Sequence, residues 1–184
     1  MSKNRLFKYT ANTYVFFFRG TPLLVQIFLI YYGLAQFDIV KDSVLWPYLR
    51  QAYWCAIIAL SVNTAAYTTE IFRGAIRAVP YGEIEAAMSI GMSRWKRYTR
   101  IILPEAIRIG LPAYSNEVIL LLKGSALAST VTILDLTGVA RAVNSRTFLS
   151  YEVFLLAGCF YLAISFIITK FFHRLERRLR HLDA

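Results

Sequence analysis

A single carboxylate, Glu117, lies within the third long apolar run of this chain, in the segment Leu111-Pro-Ala-Tyr-Ser-Asn-Glu-Val-Ile-Leu120. An ionisable group in the middle of an apolar helix is costly to keep charged and marks a functional position by default. Ser115 and Asn116 stand beside it and carry polar groups able to hold a carboxylate's lone pairs. The alternative is a buried carboxylate that orders a packing interface. Lys123, six residues on, faces elsewhere and is a poor partner within the chain. A second polar set, Asn63, Tyr67 and Glu70, has the spacing i, i+4, i+7 and shares one helix face. Asn63 and Tyr67 read either as the lining of a polar path or as interhelical hydrogen-bond partners. Glu70, near the end of its run, reads equally as a partner of Arg73 at i+3.

Other reactive residue types suggest little chemistry. No Gly-rich loop followed by Lys and Ser or Thr is present, so no nucleotide site and no catalytic residue are assigned. Cys55 and Cys159 each lie inside an apolar run without a local partner and read as small hydrophobes. His173 and His181 fall in a basic tail and read as solvated or headgroup-facing. No metal site is expected, because no clustered ligands are present.

The elements that must position these residues are membrane helices. Hydrophobic residues make up 57% of the chain and charged residues 17%, against about 45–50% and about 25% in soluble domains. The net charge of +10 would suggest nucleic acid in a soluble protein. Here the basic residues alternate with apolar runs, which excludes that reading in favour of the loops of a membrane protein. A crossing helix needs about 20 apolar residues. Four runs stand out: Leu23 to about Phe37, which is short but can extend through Thr21-Pro22, Ala52 to Thr69, Ile107 to about Val131, and Val153 to Phe172. Thr21 is the expected N-cap of the first, with Pro22 as its first helical residue. Residues Tyr9 to Phe18 are aromatic-rich but too short to cross and predict an interfacial helix. Thr132 to Phe148 predicts a short amphipathic helix on the outer face.

Sixteen of the 21 Lys and Arg residues fall before the first run, between the second and third, at the start of the third, or at the end of the fourth and beyond it. Lys41, Arg50, Lys123, Arg141 and Arg146 fall on the other side. The positive-inside rule therefore puts both termini and the central loop in the cytoplasm. Trp46, Tyr48, Tyr53 and Trp54 then form an aromatic belt at the outer end of the second run. The basic start Met1 to Lys8 lacks a compact apolar stretch and cleavage site, so no cleavable signal peptide is expected. No repeat or linker interrupts the chain, which reads as one domain over residues 1–184.

The central loop, residues 79–104, is the most informative segment. A helix is predicted from about Tyr81 to Ile90, with Pro80 and Gly82 at its start and Glu83 and Glu85 in the first turn, where they complement the helix dipole. Gly91 is expected to end it through a positive φ or tight turn. A basic helix follows from Ser93 to about Ile102, and Pro104 is expected to stop it. The alternative reading is an amphipathic loop resting on headgroups. The spacing decides against it. Glu85-Ala86-Ala87, then Gly91, then Ile101, Leu103 and Pro104, resembles the "EAA" loop of ABC importer permeases at every signature position.

The likeness covers nearly the whole chain. Phe18 to Gln26, Asn63 to Arg77 and Leu111 to Leu120 are similar to permeases for polar and basic amino acids, the M-type subunits of histidine and lysine/arginine/ornithine systems among them. The resemblance implies an all-α, polytopic membrane bundle of the type I ABC importer kind, with residues 79–104 as a coupling loop. It implies translocation of histidine, arginine, lysine or ornithine delivered by a periplasmic binding protein, across a bacterial inner membrane. Expected partners are a second permease subunit, homologous or identical, two cytoplasmic ATPase subunits, the binding protein and the lipid bilayer, with no nucleic acid. The chain itself is expected to hold no cofactor and to be no enzyme; ATP and Mg would be bound by the ATPase. Family members have five spans, and this chain is expected to carry four of them, its opening resembling the stretch that follows their first. An ion-gradient-driven secondary transporter would call for inverted repeats and paired broken helices. A non-transporting scaffold would leave the loop spacing unexplained.

The charge pattern fixes a topology that labelling can test. In a background lacking Cys55 and Cys159, a cysteine at Ser43 is expected to react with an impermeant thiol reagent on intact spheroplasts, and one at Ser93 only after permeabilisation. The reverse pattern would invert the chain.

Overall fold

The computed structural model describes residues 5–180. Among them the elements are helical throughout: α1 Arg5–Gly20, α2 Leu23–Phe28, α3 Asp38–Lys41, α4 Trp46–Leu49, α5 Ala52–Ala78, α6 Tyr81–Ser89, α7 Arg94–Arg97, α8 Leu103–Ser125, α9 Leu136–Thr147 and α10 Ser150–Arg180. Helices α5 and α10 are each long and apolar enough to cross a membrane unbroken. Two further crossings are available if each bent pair counts as one: residues 5–20 with 23–36, bent by 105°, and 94–131 with 136–147, bent by 49°.

Two compact units divide the chain. One holds the residues up to Tyr67 together with Leu120–Phe166, the other Thr68–Ile119 and the chain from Ile167 onward.

The first unit is organised around a corner. Helix α1 ends at Gly20, the chain turns through Thr21 and Pro22, and α2 starts at Leu23. A helix ending leaves its last carbonyls without intrahelical partners, and where they are buried they must find donors within the protein. Side chains supply them here. Thr21 Oγ1 donates to the Phe17 carbonyl at 2.9 Å. Gln26 Nε2 reaches the Phe18 carbonyl at 2.9 Å, the Thr21 carbonyl at 3.0 Å and Thr21 Oγ1 at 2.7 Å. From α5, Asn63 Nδ2 donates to the same Phe18 carbonyl at 3.1 Å and to Gln26 Oε1 at 3.0 Å. Gln26 is 3% exposed and Asn63 9%. Tyr14 adds a third tie, its hydroxyl donating to the Val62 carbonyl at 2.6 Å. Thr21 is therefore not the N-cap of α2: Pro22 precedes the helix in extended conformation, with no side-chain cap, because the Thr21 hydroxyl is spent backwards on α1.

Below this corner Ile27, Ala59 and Val131 are fully buried, with Leu23, Ile30, Tyr31, Ala52, Leu127 and Ile133 packed around them. Residues 29–33 form a π turn and 34–36 a 3₁₀ turn that complete the predicted first run. Beyond the 3₁₀ turn Ala126–Val131, Thr132 takes φ 65°. Asp135 caps α9, its Oδ1 accepting from the Gly138 N–H at 2.8 Å, while Tyr161 of α10 donates to Asp135 Oδ2 at 3.4 Å. A methyl at position 138 would collide with the Ile133 carbonyl oxygen, so the position requires glycine.

The second unit packs α5 against α8. Ala75, Val79 and Ala106 form its buried centre, with Ile76, Ile84 and Ile102 against it. A Cβ at Gly110 would stand 3.1 Å from the Ala75 methyl, so the two helices approach as closely as small residues allow. Phe72, Tyr114 and Phe172 then form an aromatic ladder, with centroid spacings of 6.0 and 6.1 Å.

The corner yields a stability test. Asn63→Ala and Gln26→Ala are each expected to destabilise the detergent-extracted protein by about 0.6 to 1.7 kcal/mol, the range for membrane hydrogen bonds. Because both amides serve one carbonyl and each other, the double variant should lose less than the sum. Strict additivity would show that the two act independently.

Candidate functional site

The loop 79–104 is built from two caps and one irregular turn. Val79 is buried and Pro80 extended (φ −56°, ψ 127°), so α5 ends and α6 begins at Tyr81. Glu83 lies in the first turn of α6; Glu85 falls one residue beyond it, a small shift from the expected placement. At the other end the Met92 N–H bonds the Ala87 carbonyl at 3.0 Å and the Gly91 N–H bonds the Met88 carbonyl at 2.9 Å. This pair of bonds is a Schellman motif, which places the residue after the C-cap in the left-handed region. That residue is Gly91, with φ +72°. A Cβ there would meet nothing within 4 Å, so the requirement for glycine is one of backbone conformation alone.

The faces of α6 are distinct. Ile84 and Ala87 are three apart and point inward, Ile84 onto the core of the unit and Ala87 to 2% exposure. Tyr81, Glu85 and Met88, at i, i+4 and i+7, face outward, and Ala86 is exposed with them. Of the two signature alanines, Ala87 is small because it packs within its own unit, and Ala86 alone is on the surface. Tyr81, Ile90 and Trp95 are 65%, 77% and 75% exposed. Their exposure was not anticipated from the sequence, although the i, i+7 relation of Tyr81 and Met88 contains the signal.

Beyond Gly91, Ser93 caps α7, its hydroxyl accepting from the Lys96 N–H at 3.5 Å. Pro104 does not stop the helix that follows. The backbone widens into a π turn over Tyr98–Ile102, the Leu103 N–H reaching back to the Tyr98 carbonyl, and continues directly into α8. Proline's ring and missing N–H conflict with a regular α turn before it, and a π turn absorbs that conflict. Ile101 is half-buried, while Leu103 and Pro104 are exposed.

The polar residues of the apolar runs separate into two groups. In the first unit, Asn63 is committed to the α1–α2 corner, and the half-buried Tyr67 ring lies under the Arg19 guanidinium, 5.2 Å from its centroid. In the second unit, Glu70 pairs with Arg73 at 2.8 Å, as its i+3 spacing allowed. Ser115 and Glu117 are 9% and 7% exposed, whereas Asn116 is turned outward. Glu117 is thus a buried mid-helix carboxylate engaged with a neighbour. Cys55 is buried and donates to the Leu49 carbonyl at 3.1 Å; Cys159 is exposed on α10. His173 is exposed and lies 3.2 Å from Glu176; His181 lies outside the described residues.

Comparison with known proteins agrees with this arrangement. The family profile described as the inner membrane component of binding-protein-dependent transport systems matches residues 1–181. The chain is 55% identical to the octopine transport system permease protein OccM of Rhizobium radiobacter, over 90% of this chain and 68% of that one. It is 47% identical to the histidine/lysine/arginine/ornithine transport system permease protein HisM of Salmonella typhimurium, over 100% of this chain and 79% of that one. Among solved structures, an amino acid ABC transporter with histidines superposes with a TM-score of 0.85 at 37% identity, covering 97% of this chain and 79% of that one. The chain therefore belongs to the family of inner membrane components of binding-protein-dependent transport systems.

Proposed function

We propose that this chain is the permease subunit of an ATP-driven importer of polar or basic amino acids in a bacterial inner membrane. It works with a second permease, homologous or identical, two cytoplasmic ATPase subunits and a periplasmic binding protein. The observation that carries this reading is α6: a short helix closed by a Schellman glycine, seated inward through Ile84 and Ala87, and presenting Tyr81, Glu85, Ala86 and Met88 outward. A chain without a nucleotide-binding loop must receive work through a surface contact, and a rigid helix with one apolar face is suited to do so. ATP and Mg then belong to the ATPase, and this chain binds no cofactor of its own. The resemblance to permeases named for octopine and for histidine, lysine, arginine and ornithine supports a substrate carrying a cationic group.

In this reading Glu117 lines the path and attracts the substrate's ammonium or side-chain cation. A carboxylate offers about four lone-pair sites, and an ionised carboxylate with low exposure is stabilised by each donor that reaches it. Ser115 shares the burial of Glu117, and the outward Asn116 widens the polar stretch. Tyr67 and Glu70 stand further along α5, and Asn63 contributes by holding the corner.

Two substitutions test the halves of this proposal. Gly91→Val forces a β-branched residue into the left-handed region at a cost of about 1–3 kcal/mol. The complex should still assemble, but substrate-stimulated ATP hydrolysis should collapse, while Gly91→Asn, which tolerates that conformation, should retain much of it. Normal stimulation in the Val variant would remove the coupling role. Glu117→Gln keeps shape and hydrogen bonding but deletes the charge. Assembly and basal ATP hydrolysis should be unchanged, and uptake of basic amino acids should fall by more than uptake of neutral ones. Dissociation of the complex, or equal slowing of every substrate, would assign Glu117 to the framework.

A further inference from the structure

Helix α10 is longer than a crossing requires. Its 31 residues extend about 46 Å at 1.5 Å per residue, against a hydrocarbon thickness of about 30 Å. The apolar run ends near Phe172, and the helix continues unbroken beyond it. In this extension the basic residues are ordered. Lys170, Arg174 and Arg177 recur at i, i+4 and i+7, with Arg178 beside them, and all four are exposed. At 100° per residue this stripe lies opposite Phe172, which is buried and meets the Tyr114 ring edge-on. The packing of the unit thus turns the basic stripe away from its own protein core.

Phe171, 62% exposed, and Leu175 border the stripe. Together with Arg174, Arg177 and Arg178 they line a groove of about 360 Å³. Glu176, the nearest carboxylate in sequence, is engaged by His173 at 3.2 Å. Among the described residues no carboxylate pairs with Arg174, Arg177 or Arg178. An apolar edge continuous with a membrane helix, joined to three guanidinium groups just past its end, has the chemistry of an amphiphile site. Guanidinium forks match phosphate oxygens, and Phe171 and Leu175 suit the first methylenes of an acyl chain.

We propose that this end of α10 binds an anionic phospholipid, its phosphate on Arg174, Arg177 and Arg178 and its acyl chain along Phe171 and Leu175. Clustered Lys and Arg just beyond a membrane helix are attracted to anionic headgroups. The site shares no residue with the coupling loop or with Glu117, so it stands independently of the proposed transport function.

The test uses the assembled complex in nanodiscs of phosphatidylethanolamine with phosphatidylglycerol as the minor component. Retained lipid is identified by native mass spectrometry after extraction. The unaltered protein should retain phosphatidylglycerol out of proportion to the more abundant phosphatidylethanolamine, and the preference should weaken as salt is raised. Combining Arg174→Gln, Arg177→Gln and Arg178→Gln should reduce retention by about five-fold per charge removed, the equivalent of the attraction expected for each basic residue at an anionic surface. The corresponding Lys variant should keep part of it. Retention by the Gln variant equal to that of the unaltered protein would overturn the proposal. So would displacement by inorganic phosphate or glycerophosphoglycerol as readily as by lipid, since the groove would then take a soluble anion. Loss of an associated protein subunit with lipid retention unchanged would reassign the stripe to protein docking. If the Gln variant fails to assemble, the salt series decides: a preference indifferent to salt, or no preference at all, refutes the site.

Discussion

A carbonyl freed where a helix ends and then buried has no water to turn to, and the first unit of this protein is arranged around that constraint. The turn at Thr21 and Pro22 releases the last carbonyls of α1, and the Phe18 oxygen receives two amide donors, one from Gln26 and one from Asn63. The donors are themselves linked, Asn63 to Gln26, so that α1, α2 and α5 meet at one hydrogen-bonded point. The apolar cluster of Ile27, Ala59 and Val131 lies one residue from Gln26 and four from Asn63. The polar knot and the packed core thus fix the same register, and neither can slip along the helices without breaking the other.

The second unit meets a different demand, that of joining a surface helix to a membrane helix without slack. Small residues bring α5 and α8 together at Ala75, Ala106 and Gly110, and Ile84 and Ile102 anchor the two sides of the loop onto that contact. Gly91 turns the chain sharply between them. The loop is short and capped at both of its internal helix ends, by the Schellman bonds and by Ser93. Little loose chain therefore separates α6 from the packed helices. This stiffness suits a segment proposed to carry mechanical work.

Much of this was legible in the sequence because it depends on local rules. The apolar runs, the cap at Gly91 and the pairing of Glu70 with Arg73 follow from residue type and spacing within one or two turns. The signature from Glu85 to Pro104 is likewise a matter of spacing. Features depending on distant partners were not legible. Asn63 was visible as a polar residue in an apolar run, but its partner Gln26 lies 37 positions away in another run. Ala87 was visible as small, but whether smallness served its own core or a partner is settled only by packing. Thr21 and Pro104 misled for a common reason. Each has a strong local preference, capping for one and helix breaking for the other, and each is overridden by the backbone around it: carbonyls of α1 needing a donor, and a π turn able to accommodate a ring.

That π turn has a geometrical consequence. A π turn is equivalent to one extra residue lodged in an α-helix, and each residue of an α-helix advances the azimuth by about 100°. Side chains N-terminal to Tyr98 are therefore out of phase with those of α8 by about a quarter turn, although the helix reads as continuous from Arg94 onward. A helical wheel drawn through the whole segment would put Arg94 and Arg97 on the wrong side relative to Glu105 and Arg108. The bulge thus acts as a phase offset between two surfaces that share an axis, letting the membrane-facing pattern of α8 and the basic pattern ahead of it be set separately.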